Sequence, residues 1–131
     1  MFYASNLYVD DESADILIEQ KRKEDADESV YKLPLTCIYF PEESDRPEYC
    51  EIRYLKWRYY SRHNPTVIGF AIDADHANAI LKDIIERTAK RDPNLDYRAY
   101  IEAESDIVSS FDDVKGFFLV RPSEDDIEDE E

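Results

Sequence analysis

Glycine is the scarcest structural resource in this chain, with two in 131 residues. Gly69 and Gly116 stand alone, so neither a GxGxxG nor a GxxxxGK phosphate-cradling loop can be assembled. Cysteine is equally sparse: Cys37 and Cys50 form no CxxC pair, which excludes the usual zinc spacings. The DxDxDG pattern of a calcium loop is absent, and no run approaches the 18 apolar residues of a membrane span. The opening MFYASNLYVDDES has no basic segment followed by an unbroken apolar one, so the expectation is an intracellular, cytoplasmic protein with no membrane partner. Two histidines, His63 and His76, have no Ser or Cys nucleophile beside them in sequence. With 32 acidic residues, paired carboxylates are inevitable and say nothing about acid–base catalysis. These absences point away from an enzyme, and no catalytic residue, metal or cofactor is expected.

What is present is apolar bulk and negative charge. Hydrophobic residues make up 43% and aromatics 13%, enough to fill a core, so wholesale disorder is excluded despite a formal net charge of -16. The length fits one domain over residues 1–121. The tail SEDDIEDEE, with seven acids in nine residues, cannot pack, and residues 122–131 are expected to be disordered.

The fold class expected is α+β: an antiparallel sheet of about four to six strands with one or two packed helices. The stretch Tyr49 to Arg62, YCEIRYLKWRYYSR, reads as the central strand of a meander spanning residues 31–72. Upstream, YKLPLTCIYF pairs with it when residue numbers sum to 87, setting Cys37 against Cys50, Leu35 against Ile52 and Leu33 against Tyr54. Downstream, TVIGFAI pairs at a sum of 126, setting Trp57 against Gly69, where an indole can cover a bare glycine. A cross-strand disulfide is geometrically accessible in the first register. In a cytoplasmic setting two thiols are the expected state.

FYASNLYV reads as a strand. Residues 11–23 read either as a second strand, on the alternation Ala14, Ile16, Ile18, or as a helix capped at Asp11 or Ser13; acids in the first turn and Lys21, Arg22 and Lys23 in the last favour the helix. EDADES reads as a charged linker. A helix over 73–91 is capped by Asp73 or Asp75, carries the apolar stripe Ala77, Ile80, Leu81, Ile84, Ile85 and Thr88, and stops at Pro93. Its stripe should contribute on the order of 6 to 10 kcal/mol on burial before entropy. LDYRAYIEAE alternates Leu95, Tyr97, Ala99 and Ile101 and reads as a strand, SDIVSSFDDVKG as a short helix or loop, and GFFLVR as a final strand.

Charge is sorted along the chain. Residues 1–45 carry 12 acids against 4 bases, residues 46–98 carry 8 against 10, and residues 99–131 carry 12 against 2. Such a field repels a nucleic-acid backbone and draws in a basic protein groove. The function this favours is non-enzymatic: an acidic inhibitor that mimics nucleic acid and binds the basic nucleic-acid-binding surface of another protein or complex. A phage-encoded anti-defence factor acting in an infected host, or an immunity protein against a toxic nuclease, would fit. The acids expected to face the partner are Asp10, Asp11, Glu12, Asp15, Glu102, Glu104, Asp106, Asp112 and Asp113, and Glu102 and Glu104 on one strand face would match the phosphate repeat. Tyr97, Tyr100 and Phe117 are the candidate aromatic anchors. A structural, assembly or adaptor subunit with exposed aromatics at a self-interface is the first alternative. The second is a single-stranded nucleic-acid binder, with Arg53, Lys56, Trp57, Arg58 and Arg62 interleaved among rings on the 53–62 strand. Against all of these stands an ordinary solvated acidic surface with no specific partner.

Overall fold

A computed structural model describes residues 1–42, 44, 46–56, 64–91, 94 and 96–121. The fold is α+β, a mixed sheet with four α-helices packed against it among the described residues. In chain order the elements are β1 (Phe2–Val9), α1 (Asp11–Lys21), α2 (Ala26–Ser29), a 3₁₀ turn (Val30–Lys32), β2 (Thr36–Phe40), β3 (Glu48–Glu51) and a 3₁₀ turn (Ile52–Lys56). They continue with β4 (Thr66–Ala71), α3 (Ala74–Arg91), α4 (Tyr97–Glu104), β5 (Ile107–Val108), a 3₁₀ turn (Phe111–Asp113) and β6 (Gly116–Leu119).

The sheet order is β3-β2-β4-β1-β5, with β6 also pairing on β1. The pairs β2–β3, β2–β4 and β1–β5 are antiparallel, while β1–β4 and β1–β6 are parallel. The hairpin register at a sum of 87 is as expected, with Cys37 opposite Cys50 and the Ile52 N–H donating to the Leu35 carbonyl at 2.9 Å. The expected meander order is not. The strand beginning at Tyr49 stops at Glu51, becomes a 3₁₀ turn that buries Ile52 and Leu55, and lies at an edge of the sheet. β4 pairs instead with β2, with Ile38 opposite Gly69, and with β1. Trp57, Arg58 and Arg62, and with them the expected Trp57–Gly69 contact, lie outside the described residues, as does the acidic tail.

Burial explains the order. All six residues of β4 and all five of β2 are buried, the pattern of strands covered on both faces. β3 is mostly exposed, as a short edge strand should be, and Glu48 and Glu51 flank it where unpaired backbone would otherwise invite another chain. β1 bulges away from β4 between Tyr3 and Tyr8, and β4 carries an irregularity against β2 between its Val67 and Gly69 partners. Both distortions meet at Gly69, where an added Cβ would lie 2.4 Å from the Tyr8 carbonyl oxygen.

α1 is helical as the dipole pattern favours, although its cap is Asp10, whose side chain accepts from the Ser13 N–H. α3 matches the expected span. Ala77, Ile80, Ile84 and Thr88 are buried, Leu81 is half-buried and Ile85 is 43% exposed. Two fully buried isoleucines then contribute about 3 to 6 kcal/mol, less than the full stripe would. The segment 97–104 is a helix rather than a strand, capped by Asp96, whose side chain accepts from the Ala99 N–H at 3.0 Å. Arg98 on that helix donates to the carbonyls of Pro41 (2.9 Å) and Ser44 (2.7 Å) and covers the Phe40 ring, its guanidinium 4.9 Å from the ring centre. No helix among the described residues is long and apolar enough to cross a membrane.

Candidate functional site

Two acidic segments far apart in sequence meet across a cleft of about 320 Å³ lined by Glu24, Asp25, Asp27, Glu28, Ser110 and Asp112. One wall is the segment expected to be a linker. Gln20, buried at the end of α1, donates through Nε2 to the Ala26 carbonyl (2.8 Å) and to Ser29 Oγ (2.6 Å), fastening α2 to α1. Ala26 and Val30 are buried, so the acids between and before them turn outward. The other wall is the 3₁₀ turn at 111–113. Phe111 is buried edge-to-face against Tyr3, with ring centres 5.7 Å apart, and its backbone N–H donates to the Asp27 carboxylate at 2.8 Å. Ser110 Oγ accepts from the Asp112 N–H. Among the described residues no Lys, Arg or His forms an ion pair with these five carboxylates. Like charges gathered around one cleft are only partly screened at physiological salt, where the Debye length is about 8 Å, so their fields add.

The other acids singled out from sequence are spread over different surroundings. Asp10 is buried and occupied, accepting from the Ser13 N–H (3.2 Å) and the Ile72 N–H (3.4 Å). Asp11 is held by Arg121 through Nε and a terminal nitrogen, at 3.1 and 3.3 Å. Glu12 and Asp15 are exposed on α1, and Asp113 is exposed beside the cleft. Glu102 and Glu104 lie two apart on a helix, where neighbours point about 200° apart, so the expected phosphate-like spacing on one strand face does not exist. They share a polar hollow of about 180 Å³ with Ser5, Ser105, Asp106 and Lys115. There Glu104 pairs with Arg91 at 2.7 Å and Asp106 with Lys115 at 3.8 Å.

The expected aromatic anchors are partly committed to the fold. Tyr97, Tyr100 and Phe117 are half-buried against the core, and Tyr100 neighbours Tyr8 with the Arg91 guanidinium 6.0 Å from its ring centre. Burial and that tyrosine neighbour push the Tyr8 phenol well above its ordinary range. More exposed apolar side chains are Leu119 at 49% and Tyr49 at 38%. The basic–aromatic strand does not form over Arg53 to Lys56, which turn in a 3₁₀ helix. Arg53 there pairs with Glu51 at 2.7 Å and donates to the Tyr54 hydroxyl.

A larger groove of about 820 Å³ runs along the β3 edge, lined in part by Leu33, Tyr49, Cys50, Arg53 and Asp73. Cys37 and Cys50 are free thiols, the first buried and the second half-buried. Burial pushes the Cys37 thiol up, whereas hydrogen bonds from Cys37 and Tyr39 draw the Cys50 thiol down. At the start of α3, Asp73 caps the helix by accepting from the His76 N–H and lies 2.7 Å from His76 Nδ1. That carboxylate raises the imidazole, outweighing the helix dipole that alone would lower it, and is itself lowered by the hydrogen bonds it accepts. His63 lies outside the described residues. Among those residues no group of three or more His, Cys, Asp or Glu is placed to hold a metal.

Comparison with protein-family models, with curated proteins and with solved structures finds no match to this chain.

Proposed function

We propose that this chain is a non-enzymatic acidic interaction protein that occupies the basic, nucleic-acid-binding surface of another protein, in the manner of a nucleic-acid mimic. The observation that carries the reading is the cleft between α2 and the 111–113 turn, where Glu24, Asp25, Asp27, Glu28 and Asp112 face one opening with no cation among the described residues set against them. Repulsion among such groups works against folding, and a cationic partner relieves it on binding. The net charge of -16 adds long-range attraction, which speeds encounter with a basic groove and weakens as salt rises. Asp112 and Asp113 remain in the partner-facing set. Glu24, Asp25, Asp27 and Glu28 join it, and Asp10 leaves it because its carboxylate is buried as a helix cap.

The test is an affinity capture run in parallel with the unmutated chain and a Glu24→Gln, Asp25→Asn, Glu28→Gln variant, eluted with a salt gradient. The reading expects a DNA- or RNA-binding protein that stays on the unmutated chain at low salt, leaves as salt rises, and is not held by the variant. Partners held equally by both chains, or indifferent to salt, would remove it.

An assembly subunit is the second reading, favoured by the exposure of Leu119 and Tyr49. The glutamates flanking β3 oppose edge-to-edge pairing, and sedimentation decides: a stable homo-oligomer with no affinity for basic partners supports assembly. Single-stranded nucleic-acid binding is disfavoured because Arg53 and Lys56 are not on a strand, and filter binding of short oligonucleotides at low salt should retain nothing.

A further inference from the structure

We propose that Cys50 and Cys37 form a reversible oxidation site at the sheet edge, in which Cys50 reacts with a hydroperoxide and Cys37 closes a cross-strand disulfide onto it. The argument begins with register. The Ile52 N–H donates to the Leu35 carbonyl at 2.9 Å, which makes 35 and 52 a hydrogen-bonded pair, and the alternation of an antiparallel ladder makes 37 and 50 another. Opposed Cα atoms in such pairs are about 5.5 Å apart, inside the roughly 4.4–6.8 Å that a disulfide spans.

The two sulfurs have unequal surroundings. Cys37 is fully buried on β2, between β3 and β4. Cys50 is half-buried and lines the 820 Å³ groove, where a small peroxide can reach it. Cys37, opposite Cys50 in the ladder, and the Tyr39 side chain are the neighbours that act on the Cys50 sulfur. Both favour the thiolate at Cys50 and prevail over its partial burial and over Glu48 and Glu51 on the same strand, which oppose it. The thiol that stabilises the thiolate is thus the one placed to resolve the oxidised product.

The chemistry balances as a two-electron exchange. The Cys50 thiolate attacks one peroxide oxygen, the O–O bond breaks, and hydroxide or alkoxide leaves, giving a sulfenic acid. The Cys37 thiol gives up its proton, its sulfur attacks the Cys50 sulfur, the S–O bond breaks, and water leaves. Two thiols are oxidised to one disulfide and one peroxide is reduced. Cβ atoms of a hydrogen-bonded pair are farther apart than the roughly 3.5–4.5 Å a relaxed disulfide prefers, so closing it must draw β3 toward β2. A bond formed this way is more easily reduced. β3 can make that movement because no strand pairs with its outer side among the described residues.

Native, fully reduced protein should be pulse-labelled with a maleimide and, separately, treated with equimolar hydrogen peroxide and weighed intact. Cys50 should label more than about tenfold faster than Cys37, as exposure and thiolate character dictate. Peroxide should remove two hydrogens' mass, block both thiols within a single chain, and be reversed by reduced glutathione. In a Cys37→Ser variant a dimedone adduct should appear at Cys50. Labelling of the unmutated chain carries the test even if that variant folds poorly. Equal labelling of the two thiols, a bond only between chains, or no disulfide until denaturant is added would each overturn the proposal.

Discussion

Replacing Gly69 with alanine tests the sheet order directly. The new Cβ would lie 2.4 Å from the Tyr8 carbonyl oxygen, about 1 Å inside ordinary contact, and the obstacle is backbone in the middle of the sheet rather than a side chain that can swing away. β1 and β4 must part at the Tyr8–Gly69 and Val9–Phe70 pairs. Overpacking of this kind costs about 1 to 3 kcal/mol. Weakening one or two ladder hydrogen bonds adds about 0.5 to 1.5 kcal/mol each, for a total of about 1.5 to 6 kcal/mol. A domain of this size has roughly 5–15 kcal/mol of stability in all, so the melting temperature should fall by about 5 to 20 °C. Urea denaturation followed by circular dichroism gives the free energy. Gly116→Ala is the internal control: its Cβ would meet only the Asn6 side-chain oxygen, at 3.1 Å, and the change should stay within about 1 kcal/mol of neutral. If the two substitutions shift the urea midpoint equally, the close approach of β1 to β4 is refuted.

Arg98→Ala should destabilise by about 1 to 3 kcal/mol in urea denaturation, because the Ser44 carbonyl loses the guanidinium donors and the Pro41 carbonyl keeps only the Ser44 N–H, and Arg98→Lys should recover only part because an ammonium cannot reproduce the fork; full stability in the alanine variant would refute the role. For the Asp73–His76 pair, His76 is raised and contributes stability below its unfolded value of about 6.5, lost as pH rises through the folded value; Asp73 is lowered and contributes above about 3.9, lost as pH falls through its own folded value. Proton NMR should therefore find His76 titrating above about 6.5 and moving back toward it in Asp73→Asn, which keeps the cap; a value at or below 6.5 in the unmutated chain would count against the pairing. The Glu24→Gln, Asp25→Asn, Glu28→Gln variant should melt higher than the unmutated chain at low salt, with the difference shrinking as salt is added; a lower melting temperature at every salt concentration would mean that these carboxylates support the fold.

What could be read from the sequence was what neighbouring residues decide among themselves. α3 carries its stripe, its cap and its terminal cations within one segment, and the Cys37–Cys50 hairpin register follows from two short strands joined by one loop. The partner of β4 could not be read that way, because it depends on β1, more than 50 residues earlier in the chain. At Ile52 and Leu55 the three-residue spacing of a 3₁₀ turn was present, but the tyrosines and cations around it imitated an alternating strand. Tyr97, Ala99 and Ile101 alternate, yet Tyr97, Tyr100 and Ile101 also fit one helical stripe; Asp96, as a cap just after Pro93, is the signal that separates the two. The acidic cleft was hidden because Ala26 and Val30 looked like incidental apolar residues in a charged linker. Only Gln20 and Phe111, on either side of them, turn that linker into a wall.

The pairing of β1 with both β5 and β6 sets a schedule for biosynthesis. β1 finds its outer partners only when residues 107–119 have been made, and at about 5–20 residues per second the wait lasts several seconds or longer. Throughout that interval Tyr3, Leu7 and Tyr8, which end up fully enclosed, have at most β4 on one side to lean on. Shortening the chain before residue 119 should therefore yield a product that chaperones hold and proteases clear, rather than a smaller folded one.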